Sequence, residues 1–467
     1  MASLVADPRT PGESEAAGKA ARRRTPRSAH AGWEPPSDRS DPVKVLADQD
    51  KTRVKQLVPI RHGRMAASAF TFYRGAAGIM AADLAAGPDS GLQVQLCGDA
   101  HLSNFGVFAA PDRRLIFDIN DFDETHPGPF EWDVKRLAAS FAIGGRNLGF
   151  RESERHAVLS KAAGEYRREM RRLAAMPTLD VWYERMDVDA IEHYRSQMSR
   201  KATKRYEKQR AKAESKNSRR AFARLTQSNG GEVHIVSDPP LIVPIAEMFE
   251  DVDAKLIEER LRDVYSVYVR SLDRDVRQLV ERYRFVDIAH KVVGVGSVGT
   301  RAWILLMLGR DSGDPLFLQA KEAQSSVLEP FTGAGPFKQQ GRRVVEGQRL
   351  MQAASDIFLG WTTATGPDGK DRDFYVRQLW DGKGSAEIER MSPTTMGLYA
   401  QLCGWTLARA HARSGDRIAI ASYLGKGKAF DRAISDFAEV YADQNDRDFR
   451  EFTEAISTKR LEAVTGL

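Results

Sequence analysis

The run Gly98-Asp99-Ala100-His101-Leu102-Ser103-Asn104-Phe105-Gly106, followed by Asp118-Ile119-Asn120-Asp121-Phe122-Asp123-Glu124, constrains this chain more than any other segment. A phosphoryl-transfer site needs a carboxylate to orient the attacking hydroxyl. It also needs an amide oxygen and a second carboxylate to hold magnesium against the phosphates. The run supplies those groups in that order: Asp99 as the base, then Asn104 and Asp121 as metal ligands, with Asp123 assisting. His101 either orients the loop backbone or joins the chemistry. Short runs rich in Asp, Asn and Gly are commonly plain turns. Here they sit at the ends of apolar strands, because Leu92 to Cys97 alternates and Phe105 to Phe108 and Leu115 to Phe117 flank a turn at Pro111-Asp112.

Such a site requires a second segment that grips phosphates. Gly294, Gly296, Ser297 and Gly299 lie in a G-x-G-x-x-G loop between two apolar runs, and a third run ends in Lys321. Glycine lets backbone N–H groups approach phosphate, and a lysine on the third strand can pair with phosphate oxygens. A Rossmann fingerprint would open a helix directly after the glycines. Arg301 to Leu308 instead reads as a strand running into the hairpin turn Asp311 to Asp314. Downstream, Gly341 to Gln352 has helical spacing. Glu346 on it is the expected ion-pair partner of Lys321, with Glu329 as the alternative and a surface role open for both.

The pattern G-D-x-H-x-x-N followed by D-F-D resembles the catalytic and metal loops of the aminoglycoside and choline kinase branch of the protein-kinase-like fold. That resemblance implies ATP and magnesium as cofactors and a small-molecule acceptor. It also makes Phe374 to Leu379 the strand entering the hinge, where backbone groups hold adenine and Gln378 lies close by. Leu398 to Arg413 resembles the helix that leads into the catalytic loop. Asp133, 12 positions past Asp121, would brace that loop by accepting backbone N–H bonds. The order of these parts is inverted relative to the ordinary kinase-like chain, which a circular permutation explains, since domain termini often lie close together. More narrowly, Leu57 to Met65, Phe72 to Ala77 and the two loop runs resemble the bacterial family called domain of unknown function 2252, from about Asp50 to the C-terminus. In that frame Arg61, Tyr73 and Arg74 are candidates for a phosphate or substrate contact or, equally, for packing.

At 467 residues and 42% hydrophobic content the chain can bury a core of two lobes. Its two cysteines, Cys97 and Cys403, build neither a disulfide framework nor a zinc site, which fits a cytoplasmic protein. No apolar stretch has membrane-spanning length and the N-terminus lacks a signal-peptide core, so no membrane role is expected. The net charge of +6 has a local origin. From Arg195 to Arg224, 12 Lys or Arg stand against Glu207 and Glu214, and the rest of the chain is net negative. That stretch reads first as a solvated helical face. Nucleic acid or an acidic partner is a less favoured use, because only Tyr206 and Phe222 are available for stacking.

The expectation is therefore an α+β, two-lobed, protein-kinase-like fold of permuted order. Its parts are a disordered tail at 1–45, the catalytic and metal-loop part of the larger lobe at 46–194 and a basic helical insertion at 195–232. A helical connection at 233–285, a β-rich nucleotide lobe at 286–384 and a helical remainder at 385–467 follow. The expected activity is ATP- and magnesium-dependent phosphoryl transfer to a hydroxyl. The rival readings are a metal-dependent hydrolase using Asp99, His101, Asp118, Asn120 and Asp121, and a non-catalytic nucleotide binder.

Overall fold

Helix Phe130–Asn147 is buried from Phe130 to Gly145. Ala138, Ala139, Ala142, Gly144 and Gly145 let its neighbours approach closely on all sides, so it becomes the axis of a helical region. Around it pack Glu152–Ala174, Pro393–Ser414 and Ala429–Ser457, with an aromatic cluster of Phe130, Tyr166, Tyr423 and Phe430 at one end. The computed structural model describes residues 9–189, 198–229, 232–248, 254–292, 298–366, 368–379 and 381–466. Four short strands cross the front of the helical region: β1 (Gln93–Leu96), β2 (Phe105–Ala109), β3 (Leu115–Ile119) and β4 (His126–Pro129). β1 pairs with β4 and β2 with β3, both antiparallel, so the 97–104 and 120–125 segments emerge side by side.

Residues 9–45 are not the disordered tail their composition suggests. Helix Pro11–Arg24 opens with a reciprocal Thr10/Glu13 capping box and lays Ser14, Gly18 and Ala21 against helix Arg417–Leu424. The arginines of this segment reach protein carbonyls. Arg22 donates to the Tyr423 carbonyl at 2.9 Å and Arg27 to that of Leu424 at 2.6 Å. Farther on, Arg39 bridges Asp83 and Asp448, both buried. Small residues and arginines give low hydropathy, yet here they serve close helix contact and helix C-terminal capping.

The basic insertion contains helices Arg200–Glu214 and Ser218–Leu225, then the hairpin β5 (Thr226–Asn229) and β6 (Glu232–Ile235). The segment expected as a purely helical connection holds helices Ala254–Ser271 and Arg274–Val280. It also holds β7 (Ile242–Pro244), which extends the sheet of the next region. That sheet comprises β7, β8 (Arg284–Lys291), β9 (Ala302–Leu308), β10 (Pro315–Ala323), β11 (Gly360–Thr365) and β12 (Asp371–Gln378). It is antiparallel throughout, in the order β11-β12-β10-β9-β8-β7. Side chains alternate between faces along each strand. Leu316, Leu318, Met307 and Val376 therefore face Tyr268, Leu272, Val276 and Val280 of the two covering helices and the turn between them. Phe317, Gln319 and Lys321 point the other way, Lys321 toward Asp123 and Phe317 toward helix Ser218–Leu225. Helix Gln340–Met351 connects β10 to β11 and packs against β11 and β12. After β12 the chain crosses over, and the two-residue β13 (Gly384–Ser385) joins β2.

Candidate active site at the junction of helices and sheet

The 97–104 loop is held from below by one carboxylate. Asp133, in the first turn of Phe130–Asn147, accepts from the Cys97 N–H at 2.8 Å and the Gly98 N–H at 3.1 Å. His411 Nε2 lies 3.2 Å from the same carboxylate, while its Nδ1 is 2.8 Å from the Tyr166 hydroxyl. With Tyr166 donating to Nδ1, Nε2–H donates to Asp133. The bracing expected of Asp133 is thus present. Ser140 accepts from the Leu102 N–H at 2.9 Å, and the Tyr399 hydroxyl donates to the Leu102 carbonyl at 2.8 Å.

Gly98 needs to be glycine on two counts. Its φ is +84°, and a Cβ there would meet the Glu124 carbonyl oxygen at 2.1 Å. The 97–104 and 120–125 loops are pressed together at that point. A second tie is the Asn120 N–H, which donates to the Asn104 carbonyl at 2.8 Å.

Asp99 faces the junction. Its Oδ1 accepts from Arg136 Nε at 2.9 Å and forms an ion pair with Nη2 at the same distance, while the Arg136 guanidinium stacks 3.8 Å from the centre of the Tyr73 ring. Burial raises the Asp99 carboxyl above its ordinary value against the opposing charges of Arg136 and Arg74. His101 Nε2 is 3.8 Å from Asp99 Oδ2. Burial, Arg74 and Arg136 hold His101 well below the ordinary imidazole range, so it is neutral, and its Nδ1 accepts from the Ser103 N–H at 3.2 Å. The Asn104 amide donates through Nδ2 to the Asp99 carbonyl at 2.7 Å, leaving Oδ1 without a bond among the described residues.

Lys321 reaches this place from β10. Its Nζ is 2.6 Å from Asp123 Oδ2, and the Tyr375 hydroxyl donates to Asp123 Oδ1 at 2.5 Å. Burial pushes Asp123 up, but the Lys321 charge and these two bonds hold it down to about 2. Asp121, beside it, is raised by burial and then by the Asp123 charge, and one of its oxygens accepts from the Asp123 N–H at 3.1 Å. The loop is clamped to the sheet region by Arg343 of helix Gln340–Met351, which donates to the Thr125, Asp123 and Gln324 carbonyls at 2.6, 2.9 and 2.8 Å. The Arg377 guanidinium donates to the Asn120 carbonyl at 3.1 Å.

Other expected residues fall elsewhere. Glu346 does not pair with Lys321. It lies on the Arg342 side of its helix, 3.4 Å from that guanidinium and partly exposed, and Asp123 has the lysine instead. Glu329 opens the short helix Glu329–Thr332. Arg61 is buried and bonded to Asp50 and the Gly75 carbonyl, and the Tyr73 hydroxyl donates to the Arg136 carbonyl, so both are packing residues. Arg74 remains at the site, its Nε buried without a partner among the described residues. Gly294, Gly296 and Ser297 lie outside the described residues. Gly299 turns with φ +90°, and its carbonyl accepts from the Val54 N–H at 2.8 Å. Gln378 donates through Nε2 to Ser218 at 3.2 Å and through its backbone to Asp356. Arg136, Arg343, Tyr375 and Arg377 were not anticipated. Only Arg136, three positions after Asp133 on one helix face, carried a usable signal.

The donors present suit magnesium better than a softer metal. Asn104 Oδ1 and the second Asp121 oxygen are hard, unspent acceptors, and magnesium commonly keeps several waters beside one or two carboxylates. Asp123, engaged by Lys321 and Tyr375, is not a spare ligand in this arrangement. Among the described residues no three His, Cys, Asp or Glu side chains group as a metal cage. Asp118, one ligand of the hydrolase alternative, is buried against Arg409 and accepts from the Ala353 N–H at 2.9 Å.

A family model described as an uncharacterized protein conserved in bacteria, domain of unknown function 2252, matches residues 53–455. No curated protein and no solved structure matches the chain.

Proposed function

The chain belongs to this uncharacterized bacterial family, whose description carries no activity, and we propose from the geometry of the junction that it is a magnesium-dependent phosphotransferase of permuted, kinase-like build. The observation that carries the reading is the Lys321–Asp123 contact. Residues 198 positions apart bring strand β10 onto the metal loop, 2.6 Å apart, and the Asn120 N–H ties that loop to the Asn104 carbonyl at 2.8 Å.

The spatial order of parts supports it. β8 to β12 form five antiparallel strands in the order β8-β9-β10-β12-β11, and in the chain the glycine-rich segment falls between β8 and β9 and helix Gln340–Met351 between β10 and β11. Helix Pro393–Ser414 ends where β1 begins, since Ser414 Oγ accepts from the Gln95 N–H at 3.2 Å. The lead-in helix and the strand entering the catalytic loop are adjacent in space although inverted in the chain, as a permutation requires.

In this reading the residues act mainly by position. Asp99, with one oxygen held by Arg136, turns its other oxygen toward an acceptor hydroxyl. Neutral His101 and the Asn104 side-chain amide hold the loop that carries it. Asn104 Oδ1 and Asp121 would hold magnesium, whose charge would offset that of the transferring phosphoryl group. Lys321 keeps a cation beside the phosphates and fixes the metal loop through Asp123. The test is a thermal-shift titration with ATP and with inorganic triphosphate, with and without magnesium, on wild type, Asp121→Ala and Lys321→Met. Ligands that bind only the folded state raise its apparent stability. A magnesium-dependent shift lost in both variants is expected, and no shift with either ligand would sink the reading. Asp99→Asn should keep binding and lose phosphoryl transfer.

A further inference from the structure

The sheet face that bears Lys321 has two halves, and only one of them is open. Register places Ala289, Ile304, Leu306, Phe317 and Leu379 on the same face as Lys321, toward the chain crossing at 379–384. This is the half on which the base of a nucleotide would rest, with its phosphates at Lys321. An empty base site would leave those apolar side chains in contact with solvent. Instead Ala289, Ile304, Leu306 and Phe317 are each 0% exposed.

What covers them is the insertion. Ala221 and Leu225 of helix Ser218–Leu225 pack into the same cluster, joined by Ile235 of β6 and Ile242 of β7. The turn before that helix does more. The Lys216 carbonyl accepts from the Gly382 N–H at 2.9 Å, and the Ser218 hydroxyl accepts from Gln378 Nε2 at 3.2 Å. Gly382 lies in the crossing whose backbone would otherwise meet a base, and Gln378 ends β12 just before it. Resting on the nucleotide reading above, we propose that residues 216–225 occupy the base-binding half of the cleft. The phosphate end then stays accessible to a magnesium–polyphosphate group, while a nucleoside enters only when this helix leaves.

Two further observations point to a displaceable occupant rather than permanent cover. The helix is eight residues long and buries only Ala221 and Leu225. The opposite face of the sheet is covered by helices of 18 and 7 residues and the turn between them, which contribute Tyr268, Leu272, Val276 and Val280. The helix also continues from Arg200–Glu214, in which only Ala213 is buried.

The experiment compares ATP with inorganic triphosphate, which has the phosphates and no base. In Ala221→Glu/Leu225→Glu, ATP should bind at least tenfold more tightly than in wild type in the presence of magnesium, while triphosphate affinity stays unchanged. Circular dichroism checks that the variant folds. A second measurement uses the wild-type chain alone. Saturating magnesium–ATP should accelerate tryptic cleavage at Arg219, Arg220 and Arg224, and triphosphate should not. Equal tightening for both ligands, no tightening for ATP in a folded variant, or ATP-induced protection of those sites overturns the occupant and leaves the phosphotransferase reading standing. If neither ligand binds either protein, that reading falls and this inference falls with it.

Discussion

The loops at 97–104 and 120–125 lie against each other, yet they are held by different parts of the molecule. The side chains that support the first come from the helical region: Asp133, Arg136, Ser140, Tyr399 and His411. The second is held from the sheet side, by Lys321, Tyr375 and Arg343, with Ser326 and Val327 bonded to Glu124. The position of Asp99 is therefore a property of one packed body. That of Asp121 and Asp123 depends on the sheet being docked. A loop of the first kind gives a fixed reference point, and one of the second kind reports the approach of the sheet region.

Removing the support of the first loop should have the largest effect. Asp133→Ala leaves two buried N–H groups and His411 without their acceptor, and should cost about 3 kcal/mol or more in chemical denaturation. Hydrogen exchange sharpens the comparison. The Cys97 and Gly98 amides should lose protection in Asp133→Ala and keep it in Lys321→Met. Loss in both would show that the two loops share one support.

Lys321→Met should cost less, about 2 kcal/mol, because Tyr375 still donates to Asp123. Its signature lies in the pH dependence. Asp123 is depressed from 3.8 to about 2. A depressed carboxyl contributes stability that is present above its unfolded value and lost as pH falls through its folded value. Wild type should therefore lose stability between about pH 4 and pH 2, and Lys321→Met should lose less of it. Parallel acid limbs for the two proteins would mean that the lysine does not hold Asp123.

Glu124 should show the opposite sign. Burial pushes its carboxyl from 4.5 up to about 7, despite the bond from the Val327 N–H. A raised carboxyl contributes stability present below its unfolded value and lost as pH rises through its folded one. Melting temperature should decline from about pH 4.5 to pH 7 in wild type and decline less in Glu124→Gln, whose amide oxygen can still accept from Val327. An unchanged slope would place the titration elsewhere.

The same division explains what could be read from the chain. The first loop and its brace were legible because they are local: β1, the loop, the hairpin and Asp133 lie within 41 positions, from Gln93 to Asp133, on elements with plain periodicity. The lysine strand was legible as a strand, but its partner was not. Asp123 stands 198 positions away, and no spacing rule connects them. The insertion was legible as charge and helix, whereas the two buried side chains of its second helix, Ala221 and Leu225, are too few to reveal which surface it covers. The N-terminal segment misled for a related reason. Its small residues and arginines have low hydropathy, and only a neighbouring helix shows what they contact.

Glu346 makes the smallest prediction and the sharpest contrast. In sequence it was the natural partner for Lys321, one helix downstream of the lysine strand. The helix phase decides otherwise. Arg343, Val344, Gly347 and Gln348 are buried, Arg343 reaching the 120–125 loop, while Glu346 sits four positions from Arg342 on the rim. Exposed pairs at that spacing contribute little, so Glu346→Gln should change stability by no more than about 0.5 kcal/mol. It should also leave the acid limb set by Asp123 untouched. If Glu346→Gln instead reproduces the acid behaviour of Lys321→Met, the lysine exchanges between Asp123 and Glu346. The docking of the sheet region would then have a second state, in which the helix rolls to bring Glu346 inward.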